Sequence, residues 1–150
     1  QSNRAVIPTI ITQILSQKKE ISLGSLSPTR DFNFVSDTVS GYISQLNTNA
    51  GIGEIINIGS GFEISVGDTV NLISEILGKE IKVAEIKERV RPDKSEVERL
   101  FSSNQKANDL LSWTPKYAGI EGFKMGLKKT IDWFSEPENL SYYKSDRYGI

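Results

Sequence analysis

The chain of 150 residues contains neither cysteine nor histidine. Without cysteine there is no disulfide framework and no thiol nucleophile; without either residue the usual zinc sites and the histidine-based catalytic pairs and triads are excluded. Charge of one sign is lacking as well. Lys plus Arg number 18 against 19 Asp plus Glu, a net charge of -1, so no overall field draws the chain to nucleic acid or an anionic lipid surface. A DNA-binding role for the C-terminal helices is disfavoured on that ground. Long apolar runs are also scarce: Ala5 to Leu15 is too short to span a bilayer and is interrupted by Pro8, Thr9, Thr12 and Gln13, so neither a membrane segment nor a cleavable signal is expected. No internal repeat, low-complexity run or linker rich in Pro, Gly and Ser divides the chain. It opens Gln1-Ser2-Asn3-Arg4 rather than with Met, which leaves open removal of upstream residues or trimming of a complete domain. What remains is 37% apolar and 25% charged, a globular composition, in a chain long enough to bury about two thirds of its unfolded surface.

Periodicity supplies the elements. Ile7, Ile10, Ile11, Ile14 and Leu15 recur at helical spacing over Ala5–Gln17, with Pro8 tolerated in the first turn. Ile21–Leu23 reads as a short strand, Gly24–Pro28 as a loop, and Phe32, Phe34 and Val35 as a second extended segment. Ser36 is the expected N-cap of a helix with Val39, Tyr42, Ile43 and Leu46 on one face. Ile55, Ile56 and Ile58 form an expected strand leading into Gly59-Ser60-Gly61, and Ser65-Val66-Gly67-Asp68 has capping-box spacing with Asp in place of Glu. Val70, Ile73, Ile76 and Leu77 carry that helix to Gly78, an expected left-handed stop. Lys79–Glu85 looks like another strand. Ser103 is positioned to cap a short helix holding Ala107, Leu110 and Leu111, and Ile120, Phe123, Leu127, Ile131 and Phe134 mark a longer amphipathic one. The fold class is α/β, with fewer strands than a doubly wound parallel domain usually offers, which points to an incomplete sheet.

Few groups carry chemistry. Gly59-Ser60-Gly61 sits between a strand and a helix, where amides can hold a phosphate, but the third glycine of a dinucleotide fingerprint falls on Ile64. A tight turn is the leading expectation there. Arg30 and Arg91 have the fixed fork of donors that suits phosphate oxygens, and Glu96 suits sugar hydroxyls, although each taken singly reads first as a surface residue. Asp31 and Asp37 offer a carboxylate pair for acid/base work, but no spacing ties them to a substrate, and Asp31 reads better as ordering its own loop. From Lys79 to Asp109 eight basic and seven acidic residues alternate, a mixed surface rather than a one-signed patch. Trp113, Phe123, Trp133 and Phe134 read as core, and Asn139-Leu140-Ser141 as a chance glycosylation sequon.

In order and spacing, Arg4-Ala5-Val6-Ile7-Pro8, Thr29-Arg30-Asp31-Phe32 with Val35-Ser36-Asp37, Ile56-Asn57-Ile58-Gly59, Ser65-Val66, Arg91-Pro92 with Glu96-Val97, and Trp113-Thr114-Pro115 before Thr130-Ile131-Asp132-Trp133-Phe134 together resemble the C-terminal part of extended short-chain dehydrogenase/reductases acting on nucleotide sugars. The wording is most similar to bacterial 4,6-dehydratases that feed legionaminic-type nonulosonic acid synthesis. The resemblance implies a substrate-binding lobe plus edge elements of a Rossmann-type fold, with the N-terminal NAD-binding half, its glycine fingerprint and its catalytic Tyr-x-x-x-Lys pair absent; no Tyr here is followed by Lys four positions on. It implies that Arg30 and Arg91 contact a diphosphate, Glu96 the ribose (Asp93 being the alternative, since Asp93-Lys94-Ser95 intervenes after Pro92), Val6 and Ile7 the start of a substrate-covering helix, Ser22 and Leu23 the base region, and Val66 the base or ribose edge. It implies no catalytic, cofactor or metal residue in this chain. At full length it implies a cytoplasmic, NAD-dependent homodimer that oxidises sugar C4, eliminates water across C5 and C6 and reduces C6, in bacterial surface-sugar biosynthesis. A 4-epimerase of the same family and a non-catalytic nucleotide-binding module are the alternatives.

Overall fold

A computed structural model of the chain describes residues 5–86 and 97–143. They form two compact units, each assembled from separated stretches: 5–28, 65–86, 97–98 and 127–143 in the first, 29–64 and 99–126 in the second. The chain passes between the units several times, so no single linker exists for the sequence to reveal. Among the described residues no helix is long and apolar enough to cross a membrane.

The first unit starts with α1 (Val6–Leu15), whose Ile10, Ile11 and Ile14 are fully buried, and Pro8 sits in its first turn as expected. β1 (Glu20–Leu23) pairs in parallel with β4 (Lys82–Glu85), in the register Ile21↔Val83 and Leu23↔Glu85. Between them runs α3 (Val66–Leu77), which packs on α1 and buries Val70 and Ile73. The expected cap is present: the Ser65 hydroxyl accepts the Asp68 amide at 2.9 Å and donates to the Asp68 carboxylate at 2.6 Å. Gly78 ends the helix at φ 62°, and the Lys79 amide reaches back to the Ser74 carbonyl.

The second unit contains β2 (Thr29–Arg30), paired in parallel with β5 (Arg99–Leu100), and β3 (Ile64–Ser65) lies on the other side of β2. The extended segment expected at Phe32–Val35 is not in a ladder. Its aromatic content serves packing instead, with Phe32 stacked on Phe123 at 5.6 Å and Phe34 against Tyr117 at 4.3 Å. α2 (Val35–Leu46) begins before the expected cap; Phe34 takes the N-cap position without a side-chain bond, and Ser36 falls in the first turn. α4 (Gln105–Leu111) is preceded by Asn104 rather than capped by Ser103, and the Asn104 amide donates to the Gly59 carbonyl. α5 (Gly119–Ser135) begins in the second unit and ends in the first, with Phe123, Leu127, Ile131 and Phe134 buried, and α6 (Pro137–Ser141) follows it.

Further expectations are corrected: Trp133, read as core, is 47% exposed. The apolar face of α2 is not core: Val39 is 50% exposed and Leu46 84%. The helix packs by its opposite, small and polar face. There Asp37 is buried and accepts the Tyr117 amide at 2.8 Å, Ser40 accepts the Trp113 indole N–H at 2.8 Å, and a side chain at Gly41 would meet Ile58. The strand expected at Ile55–Ile58 belongs to no sheet among the described residues, and Ile55 is 88% exposed. A β-branched run gives strand propensity but cannot form a ladder without a partner strand.

Candidate functional site

Residues singled out in the sequence fall into three groups. In the first unit, Val6 opens α1 half-buried and Ile7 follows buried; Leu23 and Val66 are also buried. Ser22 is half-buried, and its main chain is held by a side chain the sequence did not flag. Gln13 accepts from the Ser22 amide at 2.9 Å and donates to the Ser22 carbonyl at 3.1 Å. A carboxamide thus takes the place of a neighbouring strand at that point of β1. The available signal was a glutamine on the apolar side of a helix, between Ile10 and Ile14. Val66 donates its amide to the Pro28 carbonyl at 3.1 Å, fixing the entry to α3.

In the second unit stands Arg30, half-buried on β2, with one guanidinium nitrogen donating to the Thr29 carbonyl at 2.8 Å. The residues on either side of it are anchored. Thr29 donates its hydroxyl to Glu63 at 2.8 Å, and Glu63 is held bidentately by Arg99, at 2.9 Å from Nε and 2.6 Å from Nη2. The Arg99 hydrogen bonds, and then that from Thr29, hold the Glu63 carboxyl below the ordinary glutamate range. Asp31 accepts four donors: the Ser60 amide at 2.9 Å, the Ser60 hydroxyl at 2.6 Å, the Gly61 amide at 3.0 Å and the Ser102 amide at 3.2 Å.

That arrangement decides between the two roles left open for Gly59-Ser60-Gly61. The amides that would cradle a phosphate already bind a carboxylate of the chain itself, so the segment is a turn closed by Asp31. Gly61 has φ 67°, and a side chain at Gly59 would collide with Ser102. Asp37 is likewise committed to the Tyr117 amide, so the two aspartates act on backbone donors and not as an acid/base pair. The third group, Arg91 and Glu96 with the alternative Asp93, lies outside the described residues.

A family model described as GDP-mannose 4,6 dehydratase matches residues 1–126. The chain is 31% identical over 137 residues to a UDP-glucuronate 4-epimerase of Thermodesulfobacterium geofontis, covering 90% of this chain and 38% of that protein. Among solved structures, an epimerase from the methanogen Methanothermobacter thermautotrophicus superposes with a TM-score of 0.77 at 35% identity, over 91% of this chain and 39% of that one. UDP-glucuronic acid 4-epimerase from Bacillus cereus, solved with UDP-glucuronic acid and NAD, gives 0.77 at 26% identity over 95% and 42%. The chain spans about two fifths of the length of each of these relatives.

Proposed function

The chain belongs to the GDP-mannose 4,6 dehydratase family, and from that premise we propose that it is the nucleotide-sugar-binding part of an NAD-dependent nucleotide-sugar 4,6-dehydratase whose remaining polypeptide binds NAD and carries the catalytic groups. One observation carries the division of labour. The second unit exposes the apolar face of α2 together with Ile52 and Ile55, surface suited to packing against further polypeptide, in a chain two fifths the length of its relatives. The described residues do not fit NAD: the one glycine turn after a β-branched run spends its amides on Asp31. No chemical step is therefore assigned to this chain.

Its own residues bind and orient. Arg30 and Arg91 neutralise the diphosphate, Glu96 accepts from the ribose hydroxyls, half-buried Ser22 and Val6 serve the base region and the edge of the ligand, and buried Ile7, Leu23 and Val66 contribute by packing. Paired guanidinium groups suit a diphosphate because each offers two parallel donors. A 4-epimerase is the second reading, favoured by the epimerases among the similar proteins.

The test uses the natural gene product carrying this chain, incubated with NAD and hexoses linked to UDP, dTDP or GDP and followed by mass spectrometry. A product lighter by one water is expected. A product of unchanged mass and inverted C4 selects the epimerase, and absence of both conversion and binding overturns the proposal. Unchanged affinity in both Arg30→Ala and Arg91→Ala rejects the diphosphate assignment.

A further inference from the structure

We infer that Asp31 is a positioning residue for Arg30: its carboxylate gathers donors from two distant loops and thereby fixes the stretch of backbone that presents the Arg30 guanidinium to the diphosphate. The inference rests on the reading of Arg30 given above. Asp31 follows Arg30 directly at the end of β2, where its amide donates to the Leu100 carbonyl at 2.9 Å. Its carboxylate then holds Ser60 and Gly61, 29 and 30 residues away, and Ser102, 71 residues away. On the other side of Arg30, Thr29 is fixed through Glu63 and Arg99. Side chains alternate along a strand, so Thr29 and Asp31 occupy one face and Arg30 the other. Arg30 thus stands on a backbone clamped at both neighbours, with its guanidinium donating to the Thr29 carbonyl.

The clamp matters because a guanidinium recognises a diphosphate by matching two donors to two oxygens, a match that a shift of its backbone weakens. The four donors come from two separate loops, and the same carboxylate removes the Ser60 and Gly61 amides from competition for the ligand phosphates. Asp31→Asn keeps the shape of the side chain but replaces one acceptor oxygen with a donor. That amide group then faces N–H groups and cannot accept from them.

The experiment is a double-mutant cycle on the natural gene product, read by isothermal titration with UDP-glucose, dTDP-glucose and GDP-mannose and continued with the sugar nucleotide that binds. Arg30→Ala is expected to weaken binding by about tenfold or more, the loss of a charged hydrogen-bonding pair. Asp31→Asn is expected to weaken binding by about tenfold in the parent and by less than about twofold when Arg30 is already Ala, because a positioning residue has nothing left to position. A tenfold loss that persists in the Arg30→Ala background makes Asp31 structural only and overturns the inference, as does full affinity in Asp31→Asn. Full affinity in Arg30→Ala, or binding of none of the three probes, overturns instead the underlying reading of Arg30. Should Asp31→Asn fail to fold, Ser60→Ala removes the shortest of the four donors, together with the acceptor of the Phe62 amide, and leaves the other three donors in place. The same cycle then expects about a threefold loss that vanishes with Arg30→Ala, and a loss that does not vanish overturns the inference.

Discussion

α2 and α3 are both twelve residues long and both carry apolar residues at helical spacing, yet they use them in opposite ways. α3 turns Val70 and Ile73 into its unit, leaving them only 3% and 0% exposed. α2 turns Asp37, Ser40 and Gly41 inward and leaves Tyr42 and Ile43 more than half exposed. The lesson is that helical periodicity identifies a face that needs covering and says nothing about what covers it. On α3 the cover is α1, within the same unit. On α2 no cover exists among the described residues, and the proposed function supplies one in the polypeptide that longer relatives carry beyond the matched two fifths.

The largest expected effect tests that contrast directly. Ile73→Ala removes a fully buried side chain and should destabilise the chain by about 2–5 kcal/mol, whereas Ile43→Ala on the exposed face should change stability by less than about 0.5 kcal/mol. Urea unfolding of the 150-residue chain measures both. The comparison sharpens when the same two substitutions are placed in the natural gene product. If further polypeptide covers α2, the cost of Ile43→Ala rises toward that of Ile73→Ala, and an unchanged small cost there sinks the covering role.

The helix starts give a smaller effect. Ser65 caps α3 through the Asp68 amide, so Ser65→Ala should cost about 1 kcal/mol. Ser36 looked like the equivalent residue of α2 but lies within its first turn, so Ser36→Ala should cost little or nothing. Thermal unfolding of the two variants side by side checks this, and equal losses would mean that Ser36 has a capping role after all.

Legibility followed how local the determining forces are. The capping of α3, its left-handed end at Gly78, the buried stripe of α1 and most of that of α5 were readable, because each depends on residues within a turn or two. Ile55–Ile58 was misread as a paired strand, since pairing requires a second strand that composition cannot supply. The starts of α2 and α4 were misplaced because a distant partner decided them: the Phe34 ring is drawn to Tyr117, and the Asn104 amide to Gly59. In the site, the closing role of Asp31 was anticipated only as local order, whereas its partners lie 29 to 71 residues away. Gln13 and the Glu63–Arg99 pair were not anticipated at all. A polar residue inside an apolar helical stripe signals the first, and no spacing rule links residues 36 apart for the second.

The smallest expected effect separates the packing of α3 from that of the β2–β5 corner, which uses charge where α3 uses burial. Arg99 chelates Glu63, and Thr29 adds a third donor, which together hold the Glu63 carboxyl below its ordinary range. A carboxyl lowered on folding contributes stability that is present above its unfolded value, about 4.3, and lost as pH falls through the lower folded value. The contribution is small because the pair is solvent-exposed and screened, and it shrinks further in high salt. Carboxyl-detected NMR titration should therefore place Glu63 below an ordinary glutamate. Arg99→Ala should bring it most of the way back, because the arginine is the first cause of the shift, while Thr29→Val should move it less. If the Glu63 titration stays where it was in Arg99→Ala, the ion pair is not what sets it. The β2–β5 corner beside Arg30 would then be held, like α3, by packing and backbone pairing rather than by charge.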